Sequence, residues 1–123
     1  KWFSIQATAP APGTLERVRT LLHHPLFSMK NPNKVRALIG AFCHTNPYRF
    51  HAVTGEGYQF LVEMIARLND LNPQVGARML TALVPWKRFE PRRGRQMLQA
   101  LETIAKLPNL ARDLHELVQK GLG

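Results

Sequence analysis

Three times this chain places an asparagine directly before a proline, at Asn31-Pro32, Asn46-Pro47 and Asn72-Pro73, and Glu90-Pro91 marks a fourth start. Each pair is a helix start. At Asn31 the side-chain oxygen can accept one of the N–H groups that the first turn leaves unpaired, and Pro32 has no N–H to lose there. Apolar residues then recur at helical spacing. After Asn31-Pro32 come Val35, Leu38, Ile39, Phe42 and Cys43, at i, i+3, i+4, i+7 and i+8. Asn46-Pro47 opens at most a short turn before the loop-like "FHAVTGEG". Leu61, Met64, Ile65 and Leu68 mark the next helix. Val75, Met79, Leu80, Leu83 and Val84 follow Asn72-Pro73, and Met97, Leu98, Leu101, Ile104 and Ala105 follow Glu90-Pro91.

Two further helices complete the series. Leu15, Val18 and Leu22 share a face after the breaker "PAPG". Pro108 introduces a last helix with Leu110, Leu114, Leu117 and Val118, which Gly121 and Gly123 end. Alternating β-branched runs do not occur. The prediction is an all-α fold of six or seven short helices, each apolar on one side. Tight turns force consecutive helices to pack antiparallel, as in a bundle or a HEAT-like superhelical α-solenoid of helix pairs. At 123 residues, the chain is one domain, 1–123. Gly40 beside the first stripe costs on the order of 1 kcal/mol against alanine, which implies that another helix or ring approaches it closely.

Composition limits function. No apolar run approaches the roughly 18 residues of a membrane span, so a soluble domain without membrane contact is expected. Lys1 is not Met, and "KWFSIQAT" lacks signal-peptide character. Trp2, Phe3 and Ile5 read as the last turns of a helix begun upstream, which suggests a piece of a longer protein. A single cysteine, Cys43, excludes an internal disulfide and favours a cytoplasmic location. The formal net charge of +9 fits either a polyanion binder or a piece whose partner domain is acidic.

The chemical motifs mostly read as structure. "HELVQ", His115 to Gln119, is one residue short of H-E-x-x-H, because an amide stands where the second imidazole ligand should be. His23 and His24 read as a helix end, Cys43 as a buried thiol and His51 as a loop-fixing hydrogen bonder. "TGEG" lacks the Gly-Lys-Ser/Thr ending of a phosphate loop. Lys87, Arg88, Arg92, Arg93 and Arg95 surround a turn with Trp86 and Phe89. They form either a solvated turn or a nucleic-acid-binding basic patch, and the first reading is favoured. Gln74 and Arg78 stand i, i+4 on one helix, and Thr81 extends their polar stripe. That stripe is a solvent face in a free domain and a cavity face in a larger protein.

The ordered set "NPNKVRALIGAF", "FHA" with "GEGYQFLVEM", "NPQVGARML" and "LPNLARDLHELVQK" resembles the C-terminal domain of bacterial aminopeptidase N, a zinc-dependent alanyl aminopeptidase of the gluzincin class. The resemblance covers essentially the whole chain. It implies a helical superhelix that caps a separate thermolysin-like domain, closes the chamber over the active site and restricts entry to peptides. It implies zinc in that other domain and neither cofactor nor catalytic residue here, since the zinc motif and the G-[AG]-M-E-N motif are both absent from this sequence. It also implies partners in the other domains of the same polypeptide and in peptide substrates, with no nucleic acid. Through the matching "NPQVGAR" helix it puts Gln74 near the pocket for the first substrate side chain and Arg78 near the chamber. The rival reading is a basic α-solenoid that binds nucleic acid or an acidic protein.

Overall fold

A computed structural model describes residues 2–123, and among them no strand occurs. The elements are α1 (Trp2–Ala7), α2 (Thr14–Leu21), α3 (Pro32–Val35), a π-helical turn (Arg36–Gly40), α4 (Ala41–Thr45), α5 (Pro47–Phe50), α6 (Glu56–Leu71), α7 (Pro73–Leu80), a 3₁₀ turn (Trp86–Arg88), α8 (Pro91–Ala105) and α9 (Arg112–Leu122). The all-α expectation is met.

All four proline-marked starts are caps. Asn31 Oδ1 accepts from the backbone N–H of Asn33 at 3.0 Å and Lys34 at 3.4 Å, and Asn72 Oδ1 accepts from Val75 at 3.3 Å. The Glu90 carboxylate accepts from Arg92 at 2.9 Å and Arg93 at 3.0 Å. Desolvation pushes this carboxyl up, but the two N–H donors and the Arg93 guanidinium outweigh it and hold the group below its usual range. Asn46 caps the single turn of α5 through Arg49 N at 3.2 Å. It also does something its sequence context does not announce. Almost wholly buried, it donates to the carbonyls of Ala7 and Ala9, both at 2.9 Å, and so ties α5 to the end of α1.

Helices α6 to α9 form two stacked pairs. Helix α6 packs on α7 and α8 on α9; α6 also lies on α8, and α7 on α9. First helix on first and second on second is the stacking of an α-solenoid. The apolar stripes supply the shared core, with Leu61, Ile65, Leu68, Leu80, Leu83, Met97, Leu101, Ile104, Leu114 and Val118 fully or almost fully buried. Ahead of these pairs, α3, the π turn and α4 make one continuous rod that packs on α1. Phe42 on the rod meets Phe60 of α6 edge to face at 5.7 Å, and Phe50 of α5 meets Tyr58 in the same way at 5.2 Å. These aromatic pairs join the two halves into one core.

Two glycines record close approach. A Cβ on Gly40 would lie 3.3 Å from Met79 Cε, so the glycine in the first stripe lets α7 seat its methionine against the rod. Gly57 is more constrained, because its α-carbon lies against the Phe50 carbonyl and a Cβ there would collide with it. The preceding Gly55, at φ +79°, turns the chain into α6.

The last helix departs from expectation. It begins at Arg112, four residues beyond Pro108, with Leu110 outside it. Asn109 takes φ +57°, and α6 holds the entry to the helix: Asn69 Oδ1 accepts from Ala111 N at 2.7 Å, while its Nδ2 donates to Asn109 O at 3.1 Å. Gly121 does not end this helix. It lies inside α9, buried, and its carbonyl accepts from the Trp86 indole N–H at 2.8 Å.

Candidate functional site

The site expected from sequence lies on α7. Its inner face is fixed by Val75, Gly76, Met79 and Leu80, all buried, which turns Gln74 and Arg78 outward one helical turn apart. Both are exposed, and among the described residues neither side chain makes a hydrogen bond or ion pair. Thr81 continues the stripe. Its hydroxyl donates to the Arg78 carbonyl at 2.6 Å and meets His44 Nε2 at 2.9 Å. The polar face of α7 therefore runs on to the rod, where Arg36, Gly40, His44, Thr45 and Met79 line a groove of about 360 Å³. The Ser4 hydroxyl closes the far side and donates to the Ala37 carbonyl inside the π turn at 3.1 Å. This continuation through His44 links positions 37 residues apart and was not expected from the sequence.

Such a face offers an amide that both donates and accepts, a guanidinium with five donors and a hydroxyl–imidazole pair. It can orient a polar or anionic ligand. The other chemical groups are committed elsewhere. Cys43 is buried, and burial pushes its thiol far above the ordinary range. His51 Nδ1 meets the Tyr58 hydroxyl at 2.7 Å, its ring stacks on Phe89 at 4.5 Å, and Arg93 Nε donates to its carbonyl at 2.6 Å. Burial, then the Arg93 guanidinium, holds the imidazole below its usual 6.5. His51 thus fixes its loop. His24 lies just past α2, where Nδ1 accepts from Leu26 N at 3.0 Å and the ring packs against Trp2 and Phe3.

His115 and Glu116 lie on the exposed side of α9, Glu116 pairs with Arg112 at 3.0 Å, and among the described residues no three of His, Cys, Asp or Glu gather. The basic turn is partly tied into the fold: Lys87 Nζ donates to Gly123 O at 3.2 Å, and Arg93 pairs with Glu90 at 3.1 Å. Trp86 and Phe89 are held by the indole hydrogen bond and the His51 stack.

Comparison with known proteins gives this architecture a family. The family described as a domain of unknown function (DUF3458_C) with ARM repeats matches residues 1–123. The chain belongs to that family. Aminopeptidase N of Escherichia coli (strain K12) is similar to this DUF3458_C domain at 51% identity over 122 residues, 99% of this chain and 14% of the relative. Aminopeptidase N of Caulobacter vibrioides is 43% identical over 123 residues, again 14% of its length. A crystal structure of Legionella pneumophila aminopeptidase A in complex with aspartic acid superposes with a TM-score of 0.92 at 40% identity, covering 98% of this chain and 14% of that one. The chain thus spans about one seventh of the proteins it matches. The resemblance to the C-terminal helical domain of bacterial aminopeptidase N is borne out, and the ARM-repeat description agrees with the stacked pairs α6/α7 and α8/α9.

Proposed function

We propose that this chain, residues 1–123, serves as the C-terminal, non-catalytic helical domain of a cytoplasmic zinc-dependent aminopeptidase, a hydrolase that removes N-terminal residues from peptides. The observation that carries the reading is 51% identity over 122 residues to a protein named aminopeptidase N, of which those residues form only 14%. In this reading zinc and the catalytic base belong to another domain of the same polypeptide, and no step of the hydrolysis is assigned to residues here. The domain caps the active-site chamber and limits access to peptides.

Within that role, Gln74 lines the pocket for the first substrate side chain and Arg78 faces the incoming peptide. The support is physical. Both side chains project from a helix whose inner face is locked in the core, and both are uncommitted, so they can bind without breaking an internal contact. The amide can reach substrate groups as donor or acceptor, and the guanidinium attracts peptide carboxylates and carbonyls. The test is to introduce Gln74→Ala and Arg78→Ala into the full-length enzyme. For Gln74→Ala, kcat/KM should change by different factors for substrates with different first side chains. For Arg78→Ala, the loss should grow with peptide length. Unchanged values across both series would overturn the site assignment. Turnover of an aminoacyl amide by the 123-residue chain with added zinc would overturn its non-catalytic role.

A further inference from the structure

A second groove shares no residue with the Gln74–Arg78 face. It is a groove of about 620 Å³ between α5, the 51–53 loop and the start of α8, lined among others by Tyr48, Arg49, His51, Val53, Phe89 and Arg93. Tyr48 is 67% exposed and Val53 43%, two of the few large apolar side chains the fold leaves in solvent. Arg49 lies over the Tyr48 ring, its guanidinium carbon 4.4 Å from the centroid. Its Nε is buried and has no hydrogen-bond partner.

Arg93 flanks the same groove, one third exposed and only partly neutralised by Glu90. Exposed aromatic rings beside arginines are the composition of protein-interface centres. Charge selects the partner. The chain carries 17 Lys and Arg against 8 Asp and Glu, so a second copy is repelled and an acidic segment is attracted. We infer that the Tyr48–Arg49–Phe89–Arg93 groove is a docking site for a short acidic protein segment that also carries apolar side chains. Its carboxylates lie on Arg49 and Arg93, and an apolar side chain packs on Tyr48 and Val53. The rigid stack of His51 between Tyr58 and Phe89 holds the floor in place before binding. This inference stands apart from the aminopeptidase reading, and either can fail alone.

The experiment uses a fluorescein-labelled short peptide of alternating glutamate and phenylalanine, followed by anisotropy with the 123-residue chain at low salt. Arg49→Glu should weaken binding about tenfold or more, and Tyr48→Ala about threefold. Arg92→Glu makes the same charge change on the first turn of α8 outside the groove, and should alter affinity less than about twofold. Melting curves of each variant confirm an intact fold, and Tyr48→Ala, at an exposed position, keeps the test open if Arg49→Glu unfolds. Equal weakening by Arg49→Glu and Arg92→Glu would reduce the effect to net charge and overturn the site. Tighter binding of an oligouridine of matched length, or no binding of the peptide, would overturn it as well.

Discussion

The junction where α5 meets α6 and the outer face of α7 use similar residue types to opposite ends. At the junction Asn46, His51 and Gly57 are all spent on internal contacts. Asn46 makes three hydrogen bonds, His51 is bound by Tyr58, Phe89 and Arg93, and Gly57 presses on the Phe50 carbonyl. On α7, Gln74 and Arg78 stand at the same helical spacing as any core pair but touch nothing that holds them. A polar residue with its partners satisfied within the fold contributes stability; one projected from a rigid helix with none is free to bind. The difference lies in commitment and not in residue type.

That contrast predicts a graded series. Gly57→Ala should cost the most, about 3 kcal/mol, because backbone and not a flexible side chain must yield to the new Cβ. A denaturant midpoint close to that of the parent chain would break the comparison at its strongest point. Asn46→Ala should follow at about 2 kcal/mol, since it removes a cap and leaves the Ala7 carbonyl without its side-chain donor. Equilibrium unfolding in urea measures it.

The pH dependence should come from the same junction. The folded imidazole of His51 lies below its usual 6.5, so the unfolded chain takes up a proton first. Its stabilising contribution is complete above about pH 6.5 and is lost as pH falls through the folded value. Between about pH 8 and pH 5, His51→Gln should therefore show a shallower decline in melting temperature than the parent chain. A parallel decline would remove His51 from the account. Smallest of all, Gln74→Ala and Arg78→Ala should each change stability by less than about 0.5 kcal/mol. A loss as large as that of Asn46→Ala would show that α7's outer face is structural after all.

What could be read from the sequence divides along the same line. The starts at Asn31, Asn46, Asn72 and Glu90 were legible because cap and capped N–H lie within three residues. The stripes of α6 to α8 were legible because burial repeats with the helix period. Arg112 as the true start of α9 was not, because the chain entering it is held by Asn69, 42 positions from the Ala111 whose N–H it accepts. Nor was the π turn, where the Ser4 hydroxyl reaches Ala37 from α1. The exposure of Gln74 and Arg78 followed from the buried Val75 and Met79 beside them, whereas the His44–Thr81 bond that extends their face is a tertiary contact with no local signal. The Arg49 groove was hidden for the same reason: α5 and α8 meet there only in the fold.

The central claim is that the free face of α7 meets substrate in a larger aminopeptidase. The most direct measurement is kcat/KM of the full-length enzyme carrying Gln74→Ala with Arg78→Ala, over substrates that vary in first side chain and in length, with the melting temperature recorded alongside. An unchanged melting temperature with kcat/KM altered by substrate-dependent factors is the predicted result. Unchanged kcat/KM on every substrate would contradict it.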